Sequence, residues 1–411
     1  MPMPARYPIP PTLLIITIIL GITILNVQLI NFNIFKSWAT NSIFFLFVII
    51  LSVDILSMIL FGVGSGLRLF LGRSVLFSIT LFTLIFCNSY DKLIFAIKLV
   101  LISTCVLALL VIISSVFGID TGGLNLSGHG RNIGGSFLPY PRSAGIANSF
   151  GETGIILCYA LSFLLYNTIS TSQIISRKVS VVLLLIILFA IFLTQSRSSW
   201  LAASTTISTI FLFKIITMYD IRVKTAIFLL IAGLGIIFLW TEADTLLKFI
   251  DLLLGEGRNK QNAINRMANF TYGLEFLSHY SQALFGVGAA DAGNMIGEYL
   301  GEGQNSHIGI HNFFVYQLVS SGIIVLLAWT IIFIISIIIL IDISVNGEKQ
   351  IKHISIPLLA SLIATVVELN FYKGFFCEML SLQLGYYLVV YNIYMSNKQH
   401  WPTIAYHEKN C

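Results

Sequence analysis

Long runs of apolar residues constrain the fold of this chain more than any other feature. A helix that crosses a bilayer needs roughly 20 mostly apolar residues, and the sequence contains about eleven runs near that length. The runs are 12–30, 42–61, 70–88, 93–117, 152–168, 178–194, 199–217, 223–240, 313–341, 355–371 and 375–395. Because backbone groups in hydrocarbon must be satisfied within the segment, these spans are helices and not strands. The sequence therefore predicts an all-α polytopic membrane protein with about 11 (10–12) transmembrane helices.

The composition agrees with a lipid-dissolved chain and excludes several functional classes. Of 411 residues, 57% are hydrophobic and 10% are charged, whereas a soluble domain carries about 25% charged residues. The net charge of +5 is scattered over short loops, so no basic groove for nucleic acid is indicated. The five cysteines form no CxxC pair, and neither a zinc–thiolate site nor a disulfide framework is expected.

Two connections are longer than a turn, and their charge predicts the orientation of the protein. Segment 118–151 is rich in Gly, Ser and Pro, and segment 241–311 has eight acidic and four basic residues. The short loops near 177–178, 214–224 and 349–352 are basic instead. The positive-inside rule places these short loops in the cytoplasm. Both long loops and the tight turn at Arg197 are then expected to face outward, on one side of the membrane.

These features divide the chain into five predicted regions. They are N-terminal transmembrane helices (1–117), a first periplasmic loop (118–151), central transmembrane helices (152–240), a large periplasmic loop (241–312), and C-terminal transmembrane helices with a short cytoplasmic tail (313–411). Counting spans backward leaves the N-terminus outside and Arg68 and Arg73 in an outward loop. Asp54 lies within the second apolar run, and we expect it to pair with a polar group or an arginine.

The segment "FLTQSRSSWLAAS" joins two apolar runs with almost no loop, and Arg197 lies at its centre. An arginine near the bilayer must snorkel, pair or meet water. One interpretation is an interfacial anchor beside Trp200. The other is an outward guanidinium group suited to a phosphate or diphosphate.

The large outer loop contains "NAINRMANFTYGLEFLSHY", which has the pattern of an amphipathic helix. Its apolar stripe follows 3–4–3 spacing and consists of Met267, Phe270, Leu274 and Leu277. Such a helix would lie on the membrane surface or pack on the bundle, with Arg266 near the headgroup plane. Arg266 is then a phosphate ligand or an ordinary snorkelling arginine. The following segment "ALFGVGAADAGN" predicts a compact glycine turn, and the run from 313 is long enough to tilt or break near Ser320–Gly322.

His307 and His311 are four residues apart at the start of an apolar span. On a helix they would share a face and could bind zinc. However, Gly309 weakens a helix there, HExxH is absent, and no third ligand is obvious, so no metal or other cofactor is expected. A neutral imidazole at the membrane face can act as a general base. The remaining alternative is an interfacial pair that caps the span.

The first long loop contributes two further candidates. Arg142 could contact phosphate, and Glu152 starts an apolar run. A carboxylate at a helix start is favoured by the helix dipole, which is by itself a sufficient structural reason for it.

The order of these motifs resembles that of the O-antigen ligase and polymerase superfamily of bacterial envelope glycosyltransferases. Members share a T-x-S-R turn, an arginine followed by an LFGVG-like turn, an HN pair that opens a span with a later glycine, and an upstream R-x-x-G element. The matching residues are Thr194–Arg197, Arg266 with Leu284–Gly288, His311–Asn312 with Gly322, and Arg142–Gly145. All four lie on one predicted membrane face, and the resemblance covers roughly residues 140–325.

The resemblance implies a metal-independent glycosyltransferase in the bacterial inner membrane with its active site facing the periplasm. It implies an undecaprenyl-diphosphate-linked glycan as donor, and a glycan or lipid A-core acceptor. Arg197 and Arg266 would hold the diphosphate, and His311 would activate the acceptor hydroxyl. Direct displacement with one base predicts inversion at the anomeric carbon. His307 is not part of the shared pattern.

Three functions stay open at this point. The spacing of Arg142 and Glu152 is more similar to the polymerase branches, so we favour a surface polysaccharide polymerase, for which a chain-length regulator protein is a further expected partner. The first alternative is an O-antigen ligase that attaches glycan to lipid A-core. The second is a flippase or transporter of lipid-linked sugars. Against the transporter, the candidate residues crowd one membrane face instead of following a path at mid-membrane.

Overall fold

A computed structural model describes residues 37–61, 63–118, 131–132, 142–144, 147, 149–170, 174–218, 271–278, 281–288, 292, 310, 312–371 and 378–408. The long helices in these ranges are α1 (Trp38–Phe61), α2 (Val63–Phe86), α3 (Tyr90–Val116), α4 (Phe150–Ile169), α5 (Arg177–Thr194), α6 (Arg197–Met218), α7 (Phe313–Asn346), α8 (Lys349–Leu369) and α9 (Glu378–Glu408). Shorter elements are an antiparallel pair of two-residue strands, β1 (Arg131–Asn132) and β2 (Arg142–Ser143), a helical segment at 271–278 and a 3₁₀ turn at Ser281–Leu284.

The described ranges confirm the predicted all-α membrane architecture. Eight of their helices, α1 to α8, are long and apolar enough to cross a membrane, and each coincides with a predicted span. The predicted spans 12–30 and 223–240 lie outside the described residues. The predicted span 375–395 overlaps α9 from Glu378 onward, and α9 is less apolar than the other eight helices. The total of eleven spans stays a prediction.

Contacts between helix termini define two ends of the bundle. At the loop end, the start of α4, the α5–α6 turn, the start of α7 and the end of α8 lie together. Ser198 Oγ there donates a hydrogen bond to Glu368 Oε1 at 2.7 Å, and Asn312 Nδ2 donates to the Asn370 carbonyl at 3.0 Å. At the opposite basic end, Lys214 Nζ donates to the Ile169 carbonyl at 2.9 Å. The basic residues Lys92, Arg177, Lys178, Lys349 and Lys352 begin helices at this second end.

The interior of the bundle is built around α4 and α8, which are the most buried of the eight apolar helices. Association of helices in lipid depends on close packing and interhelical hydrogen bonds, because lipid tails are as apolar as leucine side chains. The Gln383 side chain of α9 provides two such bonds to α8: it accepts from Thr365 Oγ1 at 3.0 Å and donates to Ser361 Oγ at 2.6 Å. The peripheral helices expose large apolar side chains such as Phe45, Phe95 and Leu185, as a lipid-facing surface requires.

Asp54 has the partner that the sequence could not identify. Its carboxylate forms a salt bridge with Arg73, and both side chains are almost fully buried. Arg73 also donates to Gln317 and, at 2.9 Å, to Ser321 Oγ. The prediction of Arg73 in a loop was wrong, because the residue lies inside α2; its charge is neutralised there by Asp54 of α1. The network ties α1 and α2 to the first part of α7. Arg68 lies in the same helix.

Helix α7 breaks at Gly322, as predicted for the Ser320–Gly322 segment. Gly322 has φ 82° and ψ 178°, a conformation essentially restricted to glycine. The segment after the break, 323–346, is about 36 Å long at 1.5 Å per residue, enough to cross a hydrocarbon core of about 30 Å. The first part, 313–321, is therefore not needed to cross the hydrocarbon core and can pack at the loop end.

The glycine turn of the large loop is seated on this break. The backbone N–H groups of Val287 and Gly288 donate to the carbonyls of Val319 and Ser320 at 2.9 and 3.0 Å. Gly286 and Gly288 have positive φ, as a compact turn requires. A Cβ at Gly286 would lie 2.3 Å from the Ser320 carbonyl carbon, and one at Gly322 would lie 2.1 Å from the Leu284 oxygen. The two glycines therefore permit the backbones to touch.

Replacing Arg73 by methionine is expected to destabilise the protein by about 3–5 kcal/mol, the usual loss when one partner of a buried ion pair is removed. Thermal unfolding in detergent measures this loss. Adding Asp54→Leu to Arg73→Met should recover most of it, because no buried charge is then left uncompensated. Lys92→Met, which removes an exposed lysine of α3, is the matched control. An Arg73→Met protein as stable as the wild type contradicts a role for the network.

Gly322→Ala is expected to lower the free energy of unfolding by about 1–3 kcal/mol, the strain of a side chain in this backbone region. The collision with Leu284 adds to that strain. Gly273→Ala is the control, since a Cβ there meets side chains and not backbone, Val315 at 3.3 Å and Leu318 at 3.8 Å. Unfolding of purified protein provides the measurement. Equal melting temperatures for the two variants would contradict the packing described for the break.

Candidate active site

The turn that carries Arg197 is rigidly built. Helix α5 ends at Thr194, Gln195 closes it with a left-handed φ of 48°, and α6 begins at Arg197 itself. The ring of Trp200 stacks on Phe192 with an interplanar angle of 4°, and its Nε1 donates to the Ile191 carbonyl at 3.1 Å. These contacts fix α6 against α5 and so fix the backbone at Arg197. Trp200 therefore anchors α6 to α5.

The Arg197 side chain itself is exposed at the loop end. Within the part of the chain that the structure describes, it forms no ion pair. The first turn of α6 leaves backbone N–H groups without intrahelical acceptors, and the helix dipole places partial positive charge there. A cationic side chain and a helix N-terminus in one place favour an anionic ligand.

A buried carboxylate lies beneath this turn. Glu368, one residue before the end of α8, has no exposed surface. Its Oε1 accepts from Ser198 Oγ at 2.7 Å and from Ser199 Oγ at 3.5 Å, and Ser198 Oγ lies 2.9 Å from Ser196 Oγ. Hydroxyls on both sides of Arg197 are therefore linked to one acid.

Helix α4 approaches the same point through Gly154. A Cβ at this position would lie 2.2 Å from Ser199 Oγ and 3.4 Å from the Glu368 carboxyl carbon. Glycine is thus required where α4, α6 and α8 converge. The sequence analysis missed Glu368, Ser198 and Gly154. The signal for Glu368 was present, because an ionisable residue in the apolar run 355–371 is unusual in itself.

The candidates from the first long loop lie next to this convergence. Ser149 caps α4, since its hydroxyl accepts from the Glu152 N–H at 3.1 Å, and Glu152 is buried in the first helical turn. Thr153 Oγ1 donates to the Ala144 carbonyl at 2.9 Å. Because Arg142 in β2 is only two residues from Ala144, this bond attaches the strand backbone to α4. The structure describes the backbone of Arg142 and not its side chain.

Asn312 holds the start of α7. Its Oδ1 accepts from the Val315 N–H at 2.9 Å as an N-cap, and its Nδ2 donates to the Asn370 carbonyl at 3.0 Å. The side chain is buried. Asn312 therefore both begins the helix and joins it to the end of α8. The other predicted site residues, Arg266, His307 and His311, lie outside the described residues.

The predicted amphipathic helix is helical where it is described, at 271–278, and residues other than its predicted leucine stripe pack on the bundle. Leu274 is 71% exposed and Leu277 is 39% exposed, whereas Tyr272 and Phe276 have no exposed surface. Tyr272 and Phe276 are spaced i, i+4 and pack into a small core with residues of the first part of α7. The aromatic pair packs against the first part of α7 because it offers more apolar area than the leucines. Met267 and Phe270 lie outside the described residues.

Comparison with known proteins bears on this arrangement. Residues 181–330 match the Wzy_C family, whose description is O-Antigen ligase. No curated protein matches the chain. The matched segment runs from α5 through the Arg197 turn and the glycine turn to the break of α7, so it covers three of the four motifs that carried the resemblance. Over this segment the chain is similar to the O-antigen ligase family.

Proposed function

We propose that this protein is a metal-independent, inverting glycosyltransferase that takes a glycan from an undecaprenyl-diphosphate donor at the periplasmic face of the inner membrane. The family match supports ligase- or polymerase-type glycosyl transfer in general terms. The observation that carries the finer proposal is the exposed Arg197 at the start of α6, on a turn fixed from both sides. Diphosphate is the anion that fits both this site and the family.

The chemistry requires one base and a site for negative charge. An acceptor hydroxyl forms a bond to the anomeric carbon, and the bond from that carbon to the diphosphate oxygen breaks. The electron pair leaves with the diphosphate, and the hydroxyl proton passes to the His311 imidazole. Arg197, Arg266 and Arg142 are proposed to neutralise the departing diphosphate, which Mg²⁺ does in other enzymes. Asn312, Glu152 and His307 are proposed as supporting residues.

The proposed orientation follows from charge. The basic end carries Lys92, Arg177, Lys178, Lys349 and Lys352 in the first turns of helices that follow short connections. Such residues are enriched in cytoplasmic loops. We therefore assign the basic end to the cytoplasm and the loop end to the periplasm, where finished lipid-linked glycans are joined.

For the acceptor we favour a second lipid-linked glycan, which makes the protein a polymerase. The alternative is lipid A-core, which makes it a ligase. A cell that lacks the protein distinguishes them. Lipopolysaccharide with a single repeat unit supports the polymerase. Complete loss of repeat units, with polymer retained on undecaprenyl, supports the ligase.

Purified protein with a synthetic lipid-diphosphate glycan and each acceptor is expected to transfer glycan. Arg197→Ala and His311→Ala should each lower the rate at least about 100-fold, because charge stabilisation and general-base catalysis contribute effects of this size. Arg177→Ala, at the basic end, is the control and should retain the wild-type rate. Undiminished transfer in both variants would refute the assigned residues. Translocation of the lipid-linked glycan without transfer would support the transporter.

A further inference from the structure

We infer that Glu368 is a positioning residue for Arg197, and that it acts through the hydroxyl of Ser198. The inference rests on the proposed function, since it assigns Arg197 to the donor diphosphate. It adds a residue of α8, which lies outside the segment 181–330 that matches the family. It also gives the buried carboxylate of the loop end a role that the proposed chemistry does not use.

The first support is the hydrogen-bond chain. Ser196 and Ser198 flank Arg197, their hydroxyl oxygens are 2.9 Å apart, and Ser198 donates to Glu368 at 2.7 Å. Hydrogen bonds from a hydroxyl to a carboxylate are about twice as strong as neutral ones. The turn is thus held on both sides of the residue whose side chain is exposed. A guanidinium group on a fixed backbone loses less freedom when it binds an anion.

The second support is the burial of the acid. Ionisable residues inside a membrane bundle are energetically unfavourable and are found where they pair or serve a function. Glu368 has no exposed surface and lies at the convergence of α4, α6 and α8, where Gly154 leaves room for Ser199. A purely apolar side chain could fill this volume. It could not accept hydrogen bonds from Ser198 and Ser199.

The third support is the contact between the end of α8 and the start of α7. The Asn370 carbonyl, two residues beyond Glu368, accepts from Asn312 Nδ2 at 3.0 Å. The end of α8 therefore contacts the arginine turn and the start of α7 at once. In sequence, Asn312 directly follows His311. One short segment, 368–370, sets the spacing between the two elements to which the proposed function assigns charge stabilisation and the base.

A misplacement of about 1 Å can reduce a rate about 100-fold. Ser198→Ala removes the bridging hydroxyl of a half-buried residue without touching the core. We expect it to raise the KM for the lipid-diphosphate donor about ten- to a hundredfold and to leave the KM for the acceptor unchanged. Ser198→Thr retains a hydroxyl and should restore most of the donor KM. Simple loss of folded protein would instead lower kcat and move neither KM.

Glu368→Ala should raise the donor KM to the same extent. The Ser198→Ala/Glu368→Ala double variant should have a donor KM no higher than either single variant, because both substitutions remove the same Ser198–Glu368 hydrogen bond. Glu348→Gln, an exposed acid at the opposite end of α8, is the matched control and should behave as the wild type. Binding of undecaprenyl diphosphate to the same variants provides a second readout and follows the same order.

The outcomes separate this inference from the proposed function. If Arg197→Ala abolishes transfer and weakens binding while Ser198→Ala and Glu368→Ala do neither, the positioning role is refuted and the proposed function stands. Additive effects of the two changes would also refute it. If Arg197→Ala itself leaves donor binding unchanged, the proposed function fails, and the positioning role fails with it.

Discussion

The break in α7 depends on a requirement of apolar surroundings, namely that every backbone polar group must find a partner. A helix that stops inside a bundle leaves the carbonyls before the break without intrahelical donors. Here the N–H groups of Val287 and Gly288 supply the missing donors to Val319 and Ser320. The same two bonds attach the large loop to the bundle. The loop that separates α6 from α7 in sequence is thus fixed where its glycine turn meets the break.

The buried charges of the bundle follow the same requirement. In the described ranges Arg73 is a fully buried cation, and it pairs with Asp54 while also donating to Gln317 and Ser321. One of these contacts lies next to the break, since Ser321 precedes Gly322. The cation thereby pairs with polar side chains that would otherwise lie unpaired in apolar surroundings. Glu368 Oε1 likewise accepts hydrogen bonds from hydroxyl groups of the neighbouring α6. These polar contacts are concentrated toward the loop end.

Much of this architecture could be predicted from the sequence, because its signals are local. Apolar runs of about 20 residues define spans, and the glycines of "LFGVG" and "SSG" identify a turn and a break without knowledge of what they contact. The partner of Asp54 could not be found in this way. Arg73 is 19 residues away on another helix, and only the packing of α1 on α2 brings them together. The side of segment 271–278 that contacts the bundle could not be predicted for a related reason: two residue stripes fit a helix equally well, and the neighbouring helix decides between them.

The candidate site shows the same division between local and distant information. The arginine turn, the His311–Asn312 pair that opens a span and Glu152 at the start of an apolar run were all identified from local sequence. Their relative placement comes from α8, whose end carries no motif beyond one acid in an apolar run. The family segment is consequently not an independent structural unit. Beside its break, Ser321 accepts a hydrogen bond from Arg73 of α2, which pairs with Asp54 of α1. Its arginine turn is hydrogen-bonded to Glu368 of α8. Substitutions outside residues 181–330 should therefore act on the site as directly as many within it, because in a membrane bundle the groups that satisfy a buried polar atom come from whichever helix lies beside it.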